Sequence, residues 1–215
     1  MNTKVDLTII LDKSSSMTHI VDDAIGGFNE FLSQYQNQQS IQKASINLSL
    51  VQFNGKVFSI FTKEPIQEVS PINRKTYSPY GMTALYDAVG ITIKKNKKRL
   101  KKDCDTEVVI LIITDGLDNV SSRFTCSEVS KMIEKTKANR NWNYVFIGSD
   151  HNAIKEASKL SIPETNSLQA NFQRKRGFRK AFRSFDESFT RSVMHKNPKH
   201  RKKFAFSQKD RLNNK

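Results

Sequence analysis

The chain has 215 residues, 37% of them hydrophobic and 27% charged, with 36 Lys/Arg against 21 Asp/Glu. That length suits one domain with a real core, and the low apolar content assigns part of the chain to solvated extension. No apolar run approaches the roughly 20 residues of a membrane span. Cys104 and Cys126 make no disulfide framework, and no His/Cys group has zinc spacing.

Val5 to Leu11 reads as a buried strand, too short and too closely bracketed by Asp6 and Asp12 for a signal peptide. Without an export signal the expected compartment is cytoplasmic. Asp22 or Asp23 can cap a helix with Ala24/Ile25, Phe28, Phe31/Leu32 and Tyr35 on one face. Ser45 to Phe53 and Lys56 to Phe61 are strands joined at Asn54-Gly55, a strong hairpin signal. Residues 64–82 are loop, marked by Pro65, Pro71, Pro79 and Gly81. A helix from about Ala84 to Leu100 follows, turning Leu85, Val89, Ile93 and Leu100 inward.

Val108 to Ile113 is a continuous β-branched run, expected of a central strand buried on both faces. Thr125 to Glu128 is a capping box opening a helix with Val129, Met132 and Ile133 inward. Trp142 to Ile147 is a strand, Asp150 to Leu160 a short helix, and Ser167 to Ala170 a last short strand. Phe178, Phe182, Phe185, Phe189 and Val193 recur at helical steps and form the core face of a final helix.

Strands alternating with helices predict a doubly wound α/β fold. Its sheet of about six strands is mainly parallel, with one antiparallel edge strand and helices on both faces. The domain is expected over residues 1–194, followed by a basic, flexible tail at 195–215. Residues 171–215 hold fifteen Lys/Arg and three Asp/Glu, which gathers most of the positive excess at that end.

In such sheets ligands sit beyond the carboxyl ends of the strands, where chain order reverses. There the first strand runs into Asp12-Lys13-Ser14-Ser15-Ser16, three oxygen-bearing side chains on one turn. Thr83 stands at a helix start, and Thr114-Asp115-Gly116 follows the central strand. Two carboxylates and three hydroxyls form an all-oxygen set suited to a hard cation such as Mg²⁺, with Mn²⁺ or Ca²⁺ as alternatives.

In these residues the chain resembles the von Willebrand factor A family and its metal-ion-dependent adhesion site. Asp12, Ser14 and Ser16 match the first motif, Thr83 the second and Asp115 the third. The likeness looks closest to a compact bacterial and phage branch. It rests on Ile25-Gly26-Gly27-Phe28-Asn29, on Met82-Thr83-Ala84-Leu85-Tyr86-Asp87-Ala88, and on Thr114-Asp115-Gly116-Leu117-Asp118-Asn119. The resemblance implies a Rossmann-like fold, direct metal binding by the serines, and a partner protein whose Glu or Asp completes the metal shell.

Enzyme patterns do not fit. An aspartyl phosphatase needs a second carboxylate two residues on, where Ser14 stands, and no glycine pattern makes a phosphate or dinucleotide loop. The other reading is a nucleic-acid-associated accessory protein. Lys94, Lys95, Lys97, Lys98, Arg99, Lys101 and Lys102 crowd one helix end, and Lys199, Arg201, Lys202 and Lys203 precede Phe204 and Phe206. Asp118 and Asn119 are expected to order the site's loop without joining the ligands.

Overall fold

The computed structural model describes residues 3–37, 44–101, 103, 105–139, 141–149, 153–193 and 204–214. Six strands form one sheet in the order β3-β2-β1-β4-β5-β6. They are β1 (Thr3–Asp12), β2 (Ala44–Phe53), β3 (Val57–Pro65), β4 (Glu107–Thr114), β5 (Trp142–Gly148) and β6 (Ser167–Gln169). All neighbours are parallel except β2 and β3, whose pairing is antiparallel. The helices are α1 (Val21–Asn37), α2 (Leu85–Arg99), α3 (Cys126–Asn139), α4 (Ala153–Lys159), α5 (Gly177–Val193) and α6 (Gln208–Asn213).

Alternation along the central strands divides the core into two halves. Val5, Leu7, Ile9 and Leu11 of β1 face α1 and α5, while Ile10 lies in the cluster formed with α2, α3 and α4. The expected aromatic stripe is core: Phe178, Phe182, Phe185 and Phe189 are all at most 2% exposed. The rings of Phe182, Phe185 and Phe189 meet Phe28, Phe31 and Tyr35 of α1 at centroid separations of 5.4–6.4 Å. Burying each such ring contributes about 1.5–3 kcal/mol. The glycine pair of α1 sets this approach. A Cβ on Gly27 would lie 3.2 Å from the Phe178 ring, and one on Gly26 would overlap the Arg179 guanidinium.

Several expected boundaries move. A short 3-10 turn, Ser15–Ile20, precedes α1, so Asp22 and Asp23 sit in its first turn and do not cap it. The hairpin's second strand continues to Pro65 through register shifts and a left-handed Lys63, which hide its alternation. The capping box forms as read: Thr125 N–H donates to Glu128 Oε2, and Glu128 N–H to Thr125 Oγ1.

Part of the stretch expected to be a flexible tail is packed. Phe204 and Phe206 are 3% and 6% exposed, and Phe204 extends the aromatic stripe 5.9 Å from Phe185. α6 then closes with its own capping box from Ser207 and Asp210. Asn171 N–H donates to the Asn214 carbonyl, and Arg211 donates to the carbonyls of Ser167 and Glu164. Two apolar rings completing a core stripe outweigh the basic composition around them. Among the described residues no helix is long and apolar enough to cross a membrane.

Candidate metal centre

β1 lies between β2 and β4, so the connections leave it in opposite directions and open a crevice beyond its carboxyl end. Asp12 is the last residue of β1, and Asp115 immediately follows β4. Backbone hydrogen bonds stitch the loops around this crevice. Ser15 N–H donates to Gly81 O, Tyr80 N–H to Lys13 O, and Asn119 N–H to Thr83 O. Gly81 holds φ +79°, a turn conformation that costs glycine little.

The five expected oxygen donors come together. Ser14 Oγ and Ser16 Oγ lie 3.0 Å apart, and Ser16 Oγ donates to Asp115 Oδ1 at 2.5 Å. Asp12 Oδ1 accepts from Ser14 N–H at 2.7 Å, which gives the loop its turn. Gly116 lies beside both Thr83 and Ser16. A Cβ there would stand 3.5 Å from Thr83 Oγ1 and 3.8 Å from Ser16 Oγ. Asp12, Ser14 and Thr83 are buried, while Ser16 opens to solvent, so the cluster is a bowl with one accessible wall.

Electrostatics mark the bowl as short of positive charge. Burial raises the Asp12 carboxyl to about 6, with Asp115 adding repulsion and bonds from Thr114 and Ser14 pulling it down. Burial also raises Asp115, against the hydrogen bond from Ser16 and the nearby His19. Among the described residues neither carboxylate has a Lys or Arg partner. Two desolvated carboxylates facing neutral hydroxyls fit a hard divalent cation, the missing counter-charge.

Sequence reasoning missed the residues that hold this set in shape. Thr114 Oγ1 donates to Asp12 Oδ2 at 2.6 Å and accepts from Gly116 N–H. Tyr77, fully buried, donates its hydroxyl to the Asp12 carbonyl. Asp87 accepts from the N–H groups of Ser122, Arg123 and Phe124 and so anchors the loop after Asp115. Only Thr114 carried a local signal, its place beside Asp115 at a strand end. Asn119 and Asp118 act as expected: Asn119 Oδ1 accepts from Thr83 N–H, and Asp118 Oδ1 from Tyr86 N–H.

The basic run lies elsewhere. Arg99 makes a two-pronged ion pair with Asp6, whose side chain is 1% exposed, so Arg99 is a structural clamp and not a free contact residue. Asp6 is six residues from Asp12, about 20 Å along the strand. Lys94 lies over the Phe124 ring, and Lys95 donates to Ser59 Oγ. Lys97, Lys98 and Lys101 are exposed. Lys102, Lys199, Arg201, Lys202 and Lys203 lie outside the described residues.

The model of the von Willebrand factor type A domain matches residues 6–184. The chain belongs to the von Willebrand factor type A domain family. Among curated protein sequences none matches it significantly. The vWA fold recurs in similar solved structures. One is the manganese-loaded TRAP protein of Plasmodium vivax, at TM-score 0.57 and 18% identity, covering 84% of this chain and 74% of that one. The zinc-occupied proximal thread matrix protein 1 of the mussel byssus has TM-score 0.55 and 16% identity, covering 80% and 45%. The pilus adhesin SpaC of Lactobacillus rhamnosus GG has TM-score 0.63 and 13% identity, covering 89% and 30%. The chain thus spans about half the length of the mussel protein and less than a third of the adhesin.

Proposed function

We propose that this vWA domain is a metal-dependent protein-interaction module that grips an acidic side chain of a partner. The carrying observation is the convergence of Asp12, Ser14, Ser16, Thr83 and Asp115 around a bowl whose two carboxylates have no Lys or Arg partner among the described residues. The solved structures lend support, since two of them hold manganese or zinc and a third is an adhesin.

Ser14, Ser16 and Thr83 present neutral hydroxyls, and Asp12 keeps both carboxylate oxygens bonded to Ser14 N–H and Thr114. A divalent cation bound among them, Mg²⁺ by the donor chemistry, supplies a positive centre with room for an outside carboxylate. Because hydroxyls quench little of that charge, the site favours an anionic group over a neutral one. Thr83 Oγ1 makes no hydrogen bond among the described residues, which leaves it available at the rim.

The test is calorimetric titration of Mg²⁺ and Mn²⁺ into wild type and Asp12→Ala. It is paired with capture of host proteins on immobilised chain in Mg²⁺ or EDTA. Metal uptake by wild type alone, with a partner lost in both EDTA and the variant, is the expected outcome. No uptake of either metal by a folded wild type would sink the proposal.

A further inference from the structure

The rim around the bowl is two-sided. Tyr80, Met82, Leu117 and Val120 stand 57%, 52%, 45% and 37% exposed on the loops that carry Thr83 and Asp115, on the side that leads into α2 and α3. Large exposed apolar groups gathered at one site mark a contact surface. On the α1 and α5 side, a groove of about 480 Å³ starts at Thr18 and His19. His19 Nδ1 donates to the Ser16 carbonyl, so the groove adjoins the bowl directly.

The groove is strongly cationic. Arg74, Arg174, Lys175, Arg176 and Arg179 line it against only Asp22 and Asp23. Both acids are already neutralised. Arg74 forks onto Asp22, and Arg179 lies 3.1 Å from Asp23 while also bonding Glu30. The side chains of Arg174, Lys175 and Arg176 are exposed and make no hydrogen bond or ion pair among the described residues. The loop that carries them is fixed: Asn171 Oδ1 caps Gln173 N–H, Gly177 N–H returns to Arg174 O, and Arg176 is held left-handed at φ 62°.

We infer that this face reads an acidic protein segment at two points: one carboxylate at the hydroxyl-lined bowl, and further carboxylates in the groove formed by Arg174, Lys175 and Arg176. A large apolar side chain on the segment's other flank packs against Tyr80, Met82, Leu117 and Val120. The inference rests on the function proposed above and names the partner chemistry of that same site. In an extended segment, acids two to four residues from the anchoring one reach about 7–14 Å, enough to enter the groove. A protein segment suits the face better than nucleic acid does. The groove's one phenyl ring, Phe172, is buried and cannot stack on bases, and the apolar collar matches side chains, not a sugar-phosphate backbone.

The test uses the full chain and fluorescein-labelled peptides at physiological salt. One set carries a Leu-Asp core flanked by a run of Glu, with the run on either side. Its control set has Gln in place of each Glu, and an oligothymidylate is the nucleic-acid probe. In Mg²⁺ the Glu probe binds about tenfold tighter than the Gln probe, and the double variant R174E/K175E removes that advantage. Arg176→Asn, which tolerates the left-handed backbone, gives a smaller loss in the same direction. Equal affinity for the two peptides, with binding still metal-dependent, overturns the groove and leaves the metal site standing. A Glu advantage that survives EDTA overturns the coupling of groove to bowl. So does failure to bind either peptide while metal is taken up. Tighter binding of the oligothymidylate, lost in R174E/K175E, makes the groove a nucleic-acid site and refutes the inference. Absence of metal uptake is the failure of the parent proposal instead.

Discussion

Replacing Thr114 with valine, nearly isosteric, tests the internal logic of the metal centre. The hydroxyl is 2% exposed, donates to the fully buried Asp12 carboxylate and receives Gly116 N–H. A bond to a buried charge is worth about 1.5–3 kcal/mol, and the orphaned N–H adds about 0.5–1.5, giving an expected loss of about 2–4.5 kcal/mol. The loss depends on pH. Asp12 titrates at about 6 in the fold, so at pH 7.5 valine removes support from a carboxylate, whereas at pH 5 it removes a weaker bond to a neutral acid. Urea unfolding in EDTA at the two pH values reads both numbers. A cost under about 0.5 kcal/mol at both pH values would refute the claim that Thr114 supports a buried charge.

Further outcomes are expected. Asp12 keeps its proton to about pH 6 in the fold against 3.8 ordinarily, so the metal-free protein is most stable below about 4 on this account and loses that increment as pH rises through 6. Protons and metal compete there, so manganese uptake followed calorimetrically should weaken as pH falls through the same window. Phe204→Ala should cost about 3–5 kcal/mol and lower the melting temperature by about 6–20 °C; a shift under about 2 °C would show that the C-terminal segment is not part of the core. Gly177→Ala should destabilise by about 2 kcal/mol or more, because its Cβ would stand 2.0 Å from the Asn171 carbonyl oxygen. Gly26→Ala, whose Cβ meets the guanidinium end of the Arg179 side chain and not backbone, should cost less than Gly177→Ala in the same thermal melts.

What could be read from the sequence was set by local periodicity. The β-branched run Val108 to Ile113 and the helical spacing of Phe178 to Phe189 announce their burial without any partner being known. The donor set was legible because each of its three pieces sits directly after or before a strongly patterned element. Residues whose role depends on a distant partner were not. Arg99 looked like one more cation in a basic run until Asp6, 93 positions earlier, took it up. Tyr77 lies in a proline-marked loop, and only closure of the fold brings its hydroxyl to Asp12, 65 positions away. Phe204 and Phe206 make too short an apolar pattern to compete with the cations before them, and their burial follows from a stripe on α5 that was itself correctly read.

The hydrogen bond from Asn171 to Asn214 reaches beyond packing. β6 is a three-residue edge strand, and Arg211 occupies the carbonyl of its first residue, Ser167, a position a neighbouring strand could otherwise pair with. The same brace holds the start of the loop that carries Arg174 to Arg176. Handles for purification or surface immobilisation therefore belong at the amino end, where the central strand β1 begins, at the opposite end of the strand from the bowl. A fusion at the other end would pull directly on the rim whose binding it was meant to report.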